Sequence, residues 1–305
     1  MDKSVEELVK RSEEGIYVLD TSFCFTESFS PIRIALAQQE KLRTSPELEA
    51  KVREMDETML VFRKWLKRSC VVTIGEVTWE LKAGQRALDN SVEYHTRGIG
   101  HTLCHGDTLI DDLTSYLLHV YLLARELSQP NHRIGIEPYS EEAVEQINRI
   151  LQEDSKHLIE FSENFGEEGR AFFERLKKIT PLETYKGKNK INKEIYIKLL
   201  KFVLDSTWDH QGREIEGRLY EHAFGYGREN PLKLNTDRKL VAAAFALGYN
   251  AQNTPVTMLT RDNGISRLVE KIGKIISNPE LRQRYGLEPL VREISVCGVN
   301  TKKQT

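Results

Sequence analysis

The chain has 305 residues, a formal net charge of −2 and 30% charged residues, which allows one large globular domain or two moderate ones. Because the chain as a whole is not a polycation, any contact with nucleic acid must come from a local basic patch. No apolar run approaches the ~18 residues of a membrane helix, and the acidic amino terminus lacks the apolar core of a signal peptide. We therefore expect a soluble, cytoplasmic chain with no membrane partner.

The first part of the chain predicts a buried strand followed by a long helix. The apolar run Ile16–Leu19 ends in Asp20, and Thr21 and Ser22 follow it directly. Apolar residues then recur at helical spacing from Pro46 to about residue 67, the periodicity of an amphipathic helix.

A second strand and a second helix are expected next. The apolar run Cys70–Ile74 reads as a buried strand, and the helix that follows, from Val77 to about Tyr94, carries Glu80. A further helix is expected between the first strand and the long helix, from Pro31 to Gln39.

The middle of the chain, residues 96–225, lacks a strong strand signal. Helical patterns recur there at about 107–128, 140–164, 167–179 and 191–206. We therefore expect an all-helical insertion, which a loop tolerates because closure entropy grows only with the logarithm of loop length.

Strand and helix signals then alternate again near the carboxyl terminus. An Ala-rich stretch opened by Asp237 predicts a helix that ends at Gly248, the run Pro255–Leu259 predicts a strand, and Asp262 follows that strand. Residues 265–276 predict a helix and 291–296 an edge strand. Neither flanking piece has enough strands to bury a sheet alone, so residues 14–95 and 226–298 are expected to form one parallel-sheet domain around the insertion.

Four carboxylates therefore lie at the ends of apolar runs or on the helices beside them: Asp20, Glu80, Asp237 and Asp262. A parallel sheet brings the carboxyl ends of its strands to one edge, where ligands bind. Carboxylates gathered there would repel one another at neutral pH unless a hard divalent cation neutralised them. The pattern predicts a metal site built from distant parts of the chain.

At these residues the sequence resembles the PIN-domain nucleases. The similar segments are Tyr17–Ser22, Val77–Gly84, Thr236–Ala244 and Leu259–Asn263. They follow the family's order of an opening Asp, a helix with a Glu-Leu-x-x-Gly pattern, an Asp before a small-residue helix, and a Thr-x-Asp turn. The resemblance does not cover the insertion. It implies an α/β fold of three layers, α/β/α, with a central, mainly parallel sheet, to which the sequence adds the all-helical insertion.

The resemblance also implies metal-dependent cleavage of RNA with Mg²⁺ or Mn²⁺ as cofactor. Asp20 and Asp237 would be the principal ligands, and Glu80 and Asp262 would complete the shell directly or through water. The hydroxyls of Thr21, Ser22 and Thr260 would orient a carboxylate or a phosphate. RNA is the expected partner, while homo-oligomerisation and an inhibitory protein partner, such as antitoxins provide for toxin members, stay open.

Each carboxylate also has a purely structural interpretation. Asp20 suits a helix N-cap, and Asp262 begins a good turn sequence. Asp237 would favour a helix amino terminus, and Glu80 would be an ordinary exposed charge, with Glu76 one turn earlier competing for its role. The alternative function is therefore a catalytically weak RNA-binding or assembly module of PIN fold, and a phosphatase acting on a small substrate is a third option.

A basic stretch lies inside the insertion. From residue 170 to 201, Lys and Arg outnumber Glu ten to three, and Lys186, Lys188 and Lys190 form its centre. Tyr185 and Tyr196 are interleaved, so the stretch predicts substrate binding through phosphate contacts and base stacking. A solvated loop leading into an amphipathic helix explains the same pattern. The group His95, His101, Cys104 and His105 does not have the spacing of a common zinc site.

Overall fold

A computed structural model describes residues 3–10, 15–24, 46–78, 80–82, 108–137, 140–143, 145–147, 149–150, 186–207, 233–251, 254–284, 286–288 and 294–298. The helix expected from Pro31, the helical patterns at 151–164 and 167–179, and the His95–His105 group lie outside these residues.

The described elements alternate between helices and short strands. The helices are α1 (Lys3–Lys10), α2 (Thr21–Cys24), α3 (Pro46–Leu66), α4 (Thr108–Leu127), α5 (Lys193–Thr207), α6 (Lys233–Asn250), α7 (Asn263–Ser277) and α8 (Pro279–Arg284). The strands are β1 (Ile16–Leu19), β2 (Cys70–Val72), β3 (Ile134–Glu137), β4 (Asn189–Asn192), β5 (Val256–Leu259) and β6 (Ser295–Cys297). Residues 75–78 and 80–82 are also helical, and we call them the Glu80 helix. A 3-10 turn, Pro130–His132, precedes β3.

Four of the strands form a parallel sheet in the order β2-β1-β5-β6. Tyr17 pairs with Val71 on one side and with Thr257 on the other, so β1 lies in the interior of the sheet. All four residues of β5 are buried, as expected for a strand covered on both faces. The predicted α/β class with a mainly parallel sheet is therefore confirmed, and β6 lies at the edge as predicted.

The insertion is not all-helical, and that expectation was wrong. Residues 134–137 and 189–192 pair as a parallel two-stranded sheet. A parallel bridge between Thr73 and Arg133 joins this pair to the end of β2, with the Ile134 amide donating to the Thr73 carbonyl at 2.9 Å. Because the bridge is parallel, the insertion extends the sheet beyond β2 with all strands pointing the same way.

The β3–β4 pair depends on two glycines whose backbones lie against each other. A Cβ on Gly135 would lie 2.6 Å from the backbone nitrogen of Gly187, and a Cβ on Gly187 would collide with the carbonyl of Arg133. Any larger residue would force the two segments apart, so glycine is required where the backbones approach this closely.

The helices bury one continuous apolar core against the sheet. Helices α3 and α4 pack together through buried residues that include Phe62, Trp65 and Tyr116. Helix α6 buries its small residues, Ala242–Ala244 and Ala246, and packs against α5 and β4. Small side chains let a helix approach its neighbours closely, which explains the Ala-rich stretch seen in the sequence. Within the described ranges, no helix has both the length and the apolar character needed to cross a membrane.

Candidate active site at the carboxyl edge of the sheet

The chain reverses the direction of its winding between β1 and β5. From β1 the sheet continues through β2 on one side, whereas β5 and β6 extend it on the other. Such a topological switch point leaves a crevice at the carboxyl ends of the two central strands, where ligands bind in open α/β sheets. Asp20 directly follows β1, and Thr260 and Asp262 directly follow β5. The fold therefore brings two of the four predicted carboxylates to the crevice.

Asp20 is buried, with 3% of its surface exposed, and neighbouring hydroxyl groups hold it in place. The Thr260 hydroxyl donates to Asp20 Oδ2 at 2.8 Å. The Ser22 hydroxyl and backbone amide donate to the same oxygen. The Thr260 and Ser22 hydroxyl oxygens are themselves 3.2 Å apart. The structure thus places two of the three predicted supporting residues, Ser22 and Thr260, on Asp20, one from each side of the crevice.

The environment of Asp20 opposes its ionisation. Burial raises the pKa of this carboxyl group, and the negative charge of Asp262 raises it further, while the hydrogen bonds from Ser22 and Thr260 lower it. The net direction is upward. Burial and a like charge both disfavour the ionised form, and a cation bound at the crevice would reverse both effects.

Glu80 reaches the same edge from the Glu80 helix. Its side chain is 9% exposed, and Thr21 Oγ1 donates to Glu80 Oε2 at 2.5 Å. Thr21 is the residue after Asp20, so this hydrogen bond ties the Glu80 helix to the end of β1. This contact agrees with the prediction that the Thr21 hydroxyl orients a carboxylate.

Asp262 has the structural role that its turn sequence suggested. It is the N-cap of α7, and its Oδ1 accepts hydrogen bonds from the amides of Gly264 at 2.6 Å and Ile265 at 3.4 Å. An N-cap carboxylate satisfies amides that would otherwise lack partners. Its amide also donates to Thr260 Oγ1 at 3.0 Å, which connects the cap to the residue that holds Asp20.

Asp237 lies on α6 and is exposed. The helix begins at Lys233, so Asp237 stands in its second turn rather than at its start. Two residues further on, Lys239 points inward, and residues two apart on a helix face different directions. Within the described part of the chain, no group of three or more His, Cys, Asp or Glu side chains is arranged to hold a metal ion.

A buried ion pair, which no local sequence pattern indicates, lies beside this edge. Lys239 Nζ lies 2.7 Å from Glu76 Oε1, and the two side chains are 4% and 1% exposed. Glu76 lies one helical turn before Glu80 and was the alternative candidate for its role. The structure instead pairs Glu76 with Lys239.

A small cavity adjoins this ion pair. Its walls include Glu76, Lys239 and Tyr196 together with isoleucines of β3 and β4, and it has room for about one water molecule. Burial raises the pKa of Tyr196, and the charge of Glu76 adds to this effect. Glu76 Oε2 is buried and has no hydrogen-bond partner among the residues that the structure describes.

The three predicted substrate-binding lysines lie at the other edge of the sheet. Lys186, Lys188 and Lys190 are exposed and lead into or begin β4. Because every strand runs the same way, the amino end of β4 lies opposite the edge that carries Asp20. The Asn250 side chain, at the carboxyl end of α6, donates to the Lys190 carbonyl at 2.8 Å.

Base stacking by Tyr196, which the sequence suggested, is excluded. Tyr196 is 2% exposed and belongs to the core, since α5 turns this face toward α6 and the sheet. Tyr185 lies outside the described residues.

No protein-family profile, no curated protein and no solved structure matches this chain. The likeness to PIN-domain nucleases therefore rests on the sequence segments alone.

A divalent cation fits the chemistry of the crevice at Asp20 and Asp262. Burial is the main cause of the raised pKa of Asp20, and the negative charge of Asp262 adds to it. Mg²⁺ is commonly held by only one or two protein carboxylates and keeps several of its own waters. Two carboxylates at one crevice are sufficient for such a site, so the lack of a larger group is compatible with it.

Proposed function

We propose that this chain is a metal-dependent ribonuclease of PIN-like fold whose active site is the crevice between β1 and β5. The observation that carries the proposal is the buried Asp20, held by three hydrogen bonds on one oxygen and facing the charge of Asp262 at the topological switch point. Carboxylates whose pKa is shifted by burial and by a neighbouring charge cluster at functional sites, which supports a cation-binding role for this crevice.

In this proposal Asp20 and Asp262 hold Mg²⁺ or Mn²⁺, and Glu80 contributes through a water molecule. When bound, such an ion lowers the pKa of a coordinated water and neutralises charge on the phosphate. Ser22 and Thr260 fix the orientation of Asp20, and Thr21 fixes that of Glu80. Asp237, exposed on α6, enters the ligand set through the resemblance alone.

The test is cleavage of single-stranded RNA by the purified chain with Mg²⁺, with Mn²⁺ and with a chelator. Asp20→Asn keeps the shape of the side chain and should lower metal-dependent cleavage about 100-fold or more, because even outer-shell changes at metal sites cost ~10–100-fold. Glu270→Gln is the matched control, since Glu270 is an exposed residue of α7 paired with Lys274. Equal cleavage by wild type and Asp20→Asn would exclude the proposed site.

A second candidate function follows from the capping role of Asp262 and the exposure of Asp237. If these carboxylates serve the fold, the chain is an RNA-binding or assembly module without hydrolytic activity. That function predicts RNA binding that persists in chelator and no metal-dependent product in the same assay.

A further inference from the structure

Exposed cations cluster at the amino edge of the sheet, opposite the proposed active site. The cluster consists of Lys67, Arg68, Lys186, Lys188 and Lys190, all of them exposed, and we call it the basic rim. Lys67 and Arg68 immediately precede β2, and the three lysines lead into or begin β4. Segments far apart in the sequence thus supply positive charge to the same edge.

The 3-10 turn Pro130–His132 holds these two segments side by side. Its Pro130 carbonyl accepts from the Lys188 amide at 2.9 Å, and its Asn131 carbonyl accepts from the Asn189 side chain at 2.5 Å. On its other side, His132 Nδ1 lies 2.8 Å from the Val71 carbonyl. The turn therefore fixes the lysines of β4 beside the start of β2.

The three segments that form the basic rim contain no acidic residue, whereas Glu13 and Glu14 precede β1 in the sequence. Residues 67–69, 129–133 and 186–190 contain no Asp or Glu. The chain as a whole carries a net charge of −2, so the residues outside these basic segments carry a more negative net charge. Such a separation of charge attracts a polyanion to one place on the surface.

We propose that the basic rim binds the phosphate backbone of RNA at a position separate from the cleavage edge. This inference deepens the proposed function and rests on it for the link to cleavage. From β4 to β1 there are three strand spacings of ~4.8 Å, and crossing β1 from end to end adds about 13 Å. In a straight line the β4 part of the basic rim is therefore roughly 20 Å from the crevice and the β2 part roughly 14 Å, so a dinucleotide cannot span from the lysines to the crevice. A long RNA held at the basic rim can present a distant segment to the crevice.

The first test measures binding alone, in chelator, so that cleavage plays no part. The probe is a fluorescein-labelled 20-nucleotide oligouridylate, and the readout is fluorescence anisotropy at several salt concentrations. Lys186→Gln/Lys188→Gln/Lys190→Gln should weaken binding about 10-fold or more. It should also lower the slope of log K against log salt by about two, since each lost phosphate contact on a single strand contributes ~0.7.

Two controls separate the basic rim from general charge and from the crevice. Lys198→Gln/Lys201→Gln/Lys271→Gln removes the same charge from exposed positions on α5 and α7 and should leave binding within about twofold. An equimolar dinucleotide, which is too short to span the crevice and the basic rim, should not displace the probe. The inference is overturned if wild type does not bind the probe, if both triple variants lose affinity equally, or if polyglutamate of matched charge displaces the RNA as well as unlabelled RNA does.

The second test links the basic rim to cleavage. With Mn²⁺, the Lys186/Lys188/Lys190 variant should cleave the 20-mer about 10-fold more slowly than wild type at low substrate and a dinucleotide at the wild-type rate. Equal slowing of both substrates would overturn the separation of the two places. Failure of the proposed function is recognised independently, because it abolishes cleavage by wild type while leaving the anisotropy result intact.

Discussion

Removing the positive member of the buried Glu76–Lys239 pair should destabilise the protein strongly. Lys239→Met keeps most of the side-chain volume but leaves the Glu76 carboxylate 1% exposed with no cation at 2.7 Å. One Glu76 oxygen already lacks a hydrogen-bond partner. Breaking a buried pair by deleting one partner typically costs ~3–5 kcal/mol, because an uncompensated charge stays buried. Urea unfolding followed by circular dichroism measures the loss.

We attribute this loss to the unpaired charge of Glu76 rather than to the lost contact with Lys239, and a second variant separates the two causes. Adding Glu76→Gln to Lys239→Met removes the stranded charge and should recover at least about half of the lost stability, since neutral replacements of buried pairs are often well tolerated. Lys274→Met removes the cation of an exposed pair on α7, with side chains 75% and 62% exposed, and should change stability little. The reasoning is refuted if Lys239→Met costs no more than Lys274→Met, or if the double variant is no more stable than Lys239→Met.

Three further predictions concern the crevice. Burial raises the pKa of Asp20, so the folded state binds a proton on this carboxyl group more tightly than the unfolded chain does. The stability that this proton contributes is therefore full below the unfolded pKa of Asp20. It is lost as the pH rises through the folded pKa. Asp20→Asn should remove this loss of stability with rising pH and should stabilise the metal-free protein at pH 7, which urea unfolding at several pH values measures. A dependence of stability on pH that is the same as in wild type would contradict a raised pKa for Asp20. Asp262→Asn should keep the cap of α7, whereas Asp262→Ala should cost about 1 kcal/mol in the same assay; equal losses would argue against capping. Gly298→Ala should destabilise by about 1–3 kcal/mol, because its φ is +105° and a Cβ would lie 2.6 Å from the Thr260 carbonyl, and a thermal melt identical to wild type would contradict this geometry.

The parts of the site that follow strands could be predicted from the sequence. Asp20 and Asp262 each come after an apolar run, and parallel strands bring such positions to one edge regardless of how the rest of the chain folds. Thr21, Ser22 and Thr260 were predicted for the same reason, since they are neighbours of those strand ends.

Other features depend on partners far away in the chain, which periodicity does not reveal. Strand β3 has the sequence Ile-Gly-Ile-Glu and β4 has Asn-Lys-Ile-Asn, both too short and too poor in strand-forming residues to stand out. They form because Thr73 pairs with Arg133 in a parallel bridge and because Gly135 and Gly187 let the two strands' backbones come close together.

Charged side chains were the hardest to place from the sequence. The basic character of Lys186–Lys190 was evident, but the edge on which it lies depends on the direction of β4. Lys239 finds Glu76 across 163 residues, and nothing local distinguishes it from an exposed lysine. The orientation of α6 that buries Lys239 also leaves Asp237 exposed, and its expected role as a principal ligand stays a prediction.

Diffraction from crystals soaked in Mn²⁺, recorded at a wavelength where manganese scatters anomalously, tests the account most directly. If the crevice between β1 and β5 binds the metal, we expect an anomalous peak there within coordination distance of the Asp20 and Asp262 carboxylates. We also expect that peak to be lost in Asp20→Asn crystals. A crevice without a peak at saturating Mn²⁺, or a peak that persists unchanged in the Asp20→Asn protein, would contradict it.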